Sequence, residues 1–119
     1  MLTQLNMHYY TISIDNIIKT IQNNKVTELE ICYLDLGTRC TAEDQAAFCA
    51  ALRFNTNLEY LGLSNNNIDD NFALMIVEAL KYNKDIQLDL SDNNISPAGA
   101  EAITAAFANN SIAYQKLKK

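Results

Sequence analysis

One pattern is written twice in this chain, and it leaves few folds open. The stretch Leu58-Glu59-Tyr60-Leu61-Gly62-Leu63-Ser64-Asn65-Asn66-Asn67-Ile68 has leucines at spacings of three and two, then Asn66, then Ile68. Its core returns 27 positions later, where Leu61, Leu63, Asn66 and Ile68 recur as Leu88, Leu90, Asn93 and Ile95. The alternation places Leu61 and Leu63 on one face of a short strand, with Tyr60, Gly62 and Ser64 on the other. Asn66 falls where the chain must turn off the sheet. Its amide both donates and accepts, so it can satisfy backbone groups of its own turn and of a neighbouring unit. Repeated once per unit, this makes a buried ladder, and burial is tolerable only because the amide is fully bonded. By the same reasoning Asn65 points outward and matters little to stability.

The segments after each pattern also match at an offset of 27: Phe72, Ala73, Ile76, Ala79, Leu80 and Asn83 align with Gly99, Ala100, Ile103, Ala106, Phe107 and Asn110. Ala73-Ile76-Val77-Leu80 and Ala100-Ile103-Phe107 are helical stripes, and Ser96-Pro97 is a strong helix start. The spacing L-x-x-L-x-L-x-x-N-x-L resembles the leucine-rich repeat. A full helix in each unit of this length resembles the ribonuclease-inhibitor type, most clearly over 55–110. That resemblance implies an α/β leucine-rich-repeat solenoid, with a short parallel sheet on the concave side and helices on the convex side. The chain then reads as one domain, 1–119, with coils at about 1–25, 26–56, 57–84 and 85–111 and a C-terminal cap at 112–119.

Residues 2–12 form a degenerate first coil, with Leu2, Leu5, Met7, Tyr10 and Ile12 at the signature spacing and Tyr10 in place of Asn. A terminal coil has no outer neighbour to bond, so it needs no asparagine. Ser13 caps a helix that buries Ile14, Ile17, Ile18 and Ile21 and ends at Asn23-Asn24-Lys25. The second coil has two registers. The preferred one, Val26-x-x-Leu29-x-Ile31, leaves Leu34 at the asparagine position and Leu36 at the Ile68 position, with a loop insertion at 37–40. The rival, Ile31-x-x-Leu34-x-Leu36, keeps the 27-residue period but puts Arg39 at the asparagine position. Thr41-Ala42-Glu43-Asp44 is a capping-box-like start to a helix expected to bury Ala46, Cys49, Ala50 and Phe48. After the last helix, Ile112–Leu117 either adds an edge strand or covers the last coil.

Chemistry is scarce. The lone His8 has no identifiable partner to orient it, although the repeat puts it on the same face as Cys32, and the usual Ser-His, Cys-His and multi-His zinc arrangements are missing. There is no phosphate-binding glycine loop. Asp89–Asn94 lacks the Gly and Glu of a calcium loop. No cofactor, metal or enzymatic activity is expected. A formal charge of −5 argues against nucleic acid and anionic lipid, and no apolar run approaches the ~20 residues of a membrane span. The N-terminus lacks the features of a Sec signal peptide. Three cysteines without a C-x-x-C pair suit a reducing cytosol, bacterial or, for an injected effector, that of a host. Cys40, in a loop beside Arg39, reads first as an ordinary loop cysteine, though of the three it is the most plausible reactive thiol, and Cys49 is a small core residue.

What remains is surface. The resemblance implies a non-catalytic module that binds and regulates another protein, for example as an inhibitor, through the outer sheet face. That face comprises Gln4, Asn6 and His8, then Glu28, Glu30 and Cys32, then Tyr60, Gly62 and Ser64, then Gln87, Asp89 and Ser91. Glu28, Glu30, Tyr60, Ser64, Gln87 and Asp89 are the candidate protein-binding residues, with Tyr60 as anchor and a basic surface on the partner. The alternative is a structural repeat that homo-oligomerises through its C-terminal end.

Overall fold

Leu29, Leu61 and Leu88 lie side by side in one sheet, and the rest of the architecture follows from that register. The computed structural model describes residues 4–7, 12–83, 86–108 and 114–116. Strands β1 (Gln4–Met7), β2 (Glu28–Ile31), β3 (Tyr60–Gly62), β4 (Gln87–Asp89) and β5 (Tyr114–Lys116) pair in parallel, each with the next, in sequence order. Helices α1 (Ile14–Asn23), α2 (Leu36–Arg39), α3 (Ala42–Phe54), α4 (Asp70–Leu80) and α5 (Pro97–Ala108) connect them. The long helices pack α1 on α3, α3 on α4 and α4 on α5. The fold is thus mixed α/β with a short parallel sheet. Its core lies between residues of the strands and of their C-terminal exits, such as Leu29, Ile31, Leu61, Leu63, Leu88 and Leu90, and the helix stripes Ile17-Ile21, Phe48-Leu52 and Phe72-Ile76-Leu80. Phe48 and Phe72 meet edge to face at 5.9 Å between α3 and α4.

Helix starts are set by side-chain acceptors for orphan backbone N–H groups. Ser13 Oγ accepts from Asn16 N at 3.0 Å, Asp69 from Phe72 N at 2.9 Å, and Ser96 from Gly99 N at 3.1 Å. Thr41 and Asp44 form a reciprocal capping box, both bonds 3.1 Å. Asn24 ends α1 in the left-handed region at φ 58°.

The second unit adopts the Val26-x-x-Leu29-x-Ile31 register: Leu29 pairs with Leu61, and Leu34 and Leu36 occupy the places of Asn66 and Ile68, all fully buried. The step from Leu29 to Leu61 is 32 residues, against 27 from Leu61 to Leu88. The extra length is not an irregular loop. It is the helical turn α2, whose Gly37 N donates to Asn66 O at 2.7 Å. A Cβ at Gly37 would stand 1.8 Å from Asn67 O, so only glycine allows this approach. β5 extends the sheet at 114–116, the edge-strand option for this segment.

Further expectations fail: Ile14 on α1 is only half-buried, at the edge of the core. α3 buries Phe48, Cys49, Ala51 and Leu52 and leaves Ala46 and Ala50 exposed, because the largest side chains take the core-facing positions. Asn65 is not a dispensable outward residue: it is half-buried and holds φ 59°, a left-handed position that a residue such as alanine takes only at roughly 1 kcal/mol. Tyr33 and Asp92 hold the equivalent left-handed position in the adjacent units.

Two asparagine ladders hold the units together. Asn66 Oδ1 accepts from Leu34 N at 3.0 Å, and its Nδ2 donates to Ile31 O at 2.7 Å and Leu63 O at 3.1 Å. Asn93 repeats this one unit on, accepting from Asn66 N and Ile68 N and donating to Leu63 O. The second ladder lies at the helix C-termini: Asn55 Nδ2 donates to Ile21 O at 2.8 Å, and Asn83 Nδ2 to Asn55 O at 3.0 Å. Asn83 and Asn110 recur at the repeat offset, the one sequence signal that pointed to it. Among the described residues no buried side-chain nitrogen or oxygen lacks a partner.

Candidate functional site

The outer sheet face is built in two rows. Register places Glu28 beside Tyr60 and Tyr60 beside Gln87, then Glu30 beside Gly62 and Gly62 beside Asp89. Strands stand about 4.8 Å apart, so each row is a continuous surface. Gly62 carries no side chain, and the Tyr60 ring leans along its strand into that gap: a Cβ at Gly62 would stand 2.6 Å from Tyr60 Oη. The phenol therefore comes to rest between the rows, with Glu30 and Asp89 on either side. Its pKa is pushed up to about 12, first by burial and then by Glu30, Asp89, Cys32 and Glu28. Tyr60 stays a neutral donor in an acidic field.

Glu28 and Gln87 are exposed, while Glu30, Tyr60, Ser64 and Asp89 are half-buried. Asp89 is braced by Ser91 N, which donates to its Oδ1 at 2.9 Å. Glu28, Glu30, Tyr60, Gln87 and Asp89 thus come together; Ser64 lies past the end of β3, and Ser91 is buried. Beside Tyr60, at the start of the strands, a polar hollow of about 560 Å³ is lined by Glu28, Asn57, Glu59 and Gln87 among others. His8 lies outside the described residues, as do Leu2 and Tyr10.

Cys40 is neither a loop cysteine nor a reactive thiol but a core residue. It is 7% exposed, closes the C-terminus of α2, and its pKa is pushed up to about 11 by burial and Asp44, which outweigh Arg39. Cys49 is likewise buried, with its pKa pushed up to about 12. Half-buried Cys32 is raised too, by burial and Glu30. A thiol that stays protonated is a poor nucleophile. The Asp89–Asn94 turn commits the Asn93 amide to backbone, and no group of three or more metal-ligating side chains occurs among the described residues. No helix among them is long and apolar enough to cross a membrane.

Sequence reasoning passed over the helix side. Phe54 and Tyr82 are 75% and 57% exposed at the C-terminal ends of α3 and α4, with the Arg53 guanidinium 4.4 Å from the Tyr82 ring. Tyr33 is also 57% exposed, at φ 59° beside the sheet face. Their positions follow from which way α3 and α4 turn, which periodicity did not settle.

With the repeated strand–turn–helix unit and its asparagine ladder in place, the chain is a leucine-rich repeat protein; the family model described as "Leucine Rich repeat" matches residues 54–71 and 82–103. Leiomodin-2 of Rattus norvegicus is 30% identical over 100 residues, 83% of this chain and 18% of that protein. Leiomodin-2 of Gallus gallus is 29% identical over 102 residues, with the same coverage. The chain therefore spans less than a fifth of the length of these curated relatives. A solved structure described as "Leiomodin-1 Actin-Binding Site 2 (ABS2)" superposes with a TM-score of 0.71 at 30% identity, covering 92% of this chain and 64% of that one.

Proposed function

We propose that this chain is a non-catalytic protein-binding module, working in the cytosol, that engages its partner through the outer sheet face. The observation that supports this most is Tyr60, lodged over Gly62 among Glu28, Glu30 and Asp89. A tyrosine already ordered in one rotamer loses little entropy on binding, and tyrosine is a frequent interface anchor. The surrounding carboxylates suit a basic patch on the partner. In the solenoid reading of the ribonuclease-inhibitor type, this face is concave and would wrap a convex partner, which it would regulate by covering it.

The likeness to a leiomodin-1 actin-binding site makes actin the first partner to try. Purified monomeric actin is titrated against the chain by interferometry at low and physiological salt. Tyr60→Ala should weaken binding by ~1–2 kcal/mol, and Glu30→Lys or Asp89→Lys should slow association mainly at low salt. Wild-type binding by all three variants would move the site off this face, and failure of the native chain to bind would remove actin.

A second reading is self-association through the outer edge of β5, beside which no further strand lies among the described residues. A concentration-dependent dimer in sedimentation velocity, unaffected by Tyr60→Ala, would favour it.

A further inference from the structure

Because Ala46 and Ala50 face outward, α3 presents a row of small residues beside α4, and a valley of about 540 Å³ opens between the two helices. Its lining includes Ala46, Ala50 and Phe54 from α3, Leu74 and Met75 from α4, and Tyr82 just past the end of α4. Ala46, Ala50 and Phe54 are four residues apart, so the valley follows α3 for on the order of 12 Å at ~1.5 Å per residue. It lies on the surface of the helix layer turned away from the core.

Shape and charge both point to the occupant. A mainly apolar trough between two packed helices, with Asn71 and Glu78 as polar members of its wall, suits the ridge of a third helix, with anchors at i, i+3 or i+4, and i+7. The C-terminal end of the trough is cationic, in a chain whose net charge is −5. There Arg53 lies over the Tyr82 ring at 4.4 Å and the Phe54 ring at 5.6 Å, and Lys81 Nζ is 5.9 Å from Tyr82. Glu78 is committed to Lys81 at 2.9 Å, and among the described residues no carboxylate pairs with Arg53. A guanidinium stacked on a ring keeps its in-plane N–H donors free for a carboxylate.

We infer that the α3–α4 valley is a second docking site, which takes an amphipathic helix of a partner protein whose apolar ridge ends in an Asp or Glu that pairs with Arg53. It is separate from the sheet face, so one chain could hold two segments at once.

The probe is a displayed library of helical peptides of about 15 residues, about four turns, randomised along one face. It is selected on the full chain and counter-selected on Ala50→Trp, which fills the trough from an exposed position. Recovered helices should share an apolar ridge followed by Asp or Glu. Their affinity should fall at least ~10-fold on Ala50→Trp and on Arg53→Glu, while Tyr60→Ala binds them like wild type. Changing the peptide carboxylate to Lys should restore binding to Arg53→Glu. Both variants should melt at the wild-type temperature, since both positions are exposed; Arg53→Glu with the Lys peptide keeps the test open if Ala50→Trp does not fold. Recovery of no helix, of helices without the acid, or of helices that bind both variants at full strength would overturn the proposal, as would loss of binding in Tyr60→Ala.

Discussion

In the unit that begins at β3, the turn after the strand is closed by an asparagine; in the unit that begins at β2, the same position holds Leu34. Asn66 reaches back one unit, serving Leu34 N, Leu36 N and Ile31 O, and Asn93 does the same for Asn66 N, Ile68 N and Leu63 O. A leucine cannot do this for the unit before it. There Arg39 takes over: one guanidinium nitrogen donates to Leu34 O at 3.0 Å and the other to Ile12 O at 2.5 Å. The helical turn α2 exists in this unit alone among the described connections, and it delivers that arginine. What is invariant between the units is the demand of the buried carbonyls and N–H groups, not the residue that meets it. A short amide meets it locally, and a long cation meets it from five residues away.

The units differ most in what they require of glycine. Gly37→Ala drives a Cβ into the Asn67 carbonyl, which is backbone and cannot swing aside. It should cost at least about 3 kcal/mol in a urea melt. Gly62→Ala meets only the Tyr60 side chain, and should cost under about 1 kcal/mol as the ring moves away. Equal losses would mean that α2 does not hold the third unit as described.

Next come the two stitches. Asn66→Ala strands a set of buried backbone groups and should destabilise by about 3 kcal/mol. Arg39→Ala removes two bonds nearer the surface and should cost about 1–2 kcal/mol, with Arg39→Lys regaining at most one of them. If Arg39→Ala is neutral, water serves Ile12 O and the analogy between the stitches fails.

Tyr33 is a residue the second unit would gain from losing. It holds the left-handed position filled by Asn65 and Asp92 in the following units, and its side chain is largely exposed. Tyr33→Asn should stabilise the protein by about 1 kcal/mol, read as a higher melting temperature. No gain would mean that the tyrosine ring packs better than its exposure implies.

The smallest effect is a matter of pH. Tyr60 titrates near 12 in the fold against an ordinary 10.0, so folding favours the neutral phenol. That contribution is complete below pH 10 and is lost as pH rises through 12, because the unfolded chain ionises first. Tyr60→Phe should flatten the alkaline loss of stability between those values and leave neutral pH unchanged. An identical alkaline limb would place the phenol in open solvent.

Much of this was legible before any coordinates. Alternation and the 27-residue recurrence determine the strands, the helices that follow and the buried asparagines, because each rests on a local period and on groups a few bonds apart. Even the awkward register of the second unit was readable, since the distance from Asn24 to Leu29 equals that from Asn83 to Leu88. The face that α3 buries was not. Residues 46–52 are seven apolar positions in a row, so no stripe stands out. The choice falls to volume once α1 and α4 are present to be packed against. The same holds for Arg39 on Ile12 O, Arg53 on the Tyr82 ring, and the Tyr60 ring over Gly62. Each depends on how far a flexible side chain reaches across a gap that only the assembled neighbours define, and no spacing along the chain encodes that distance.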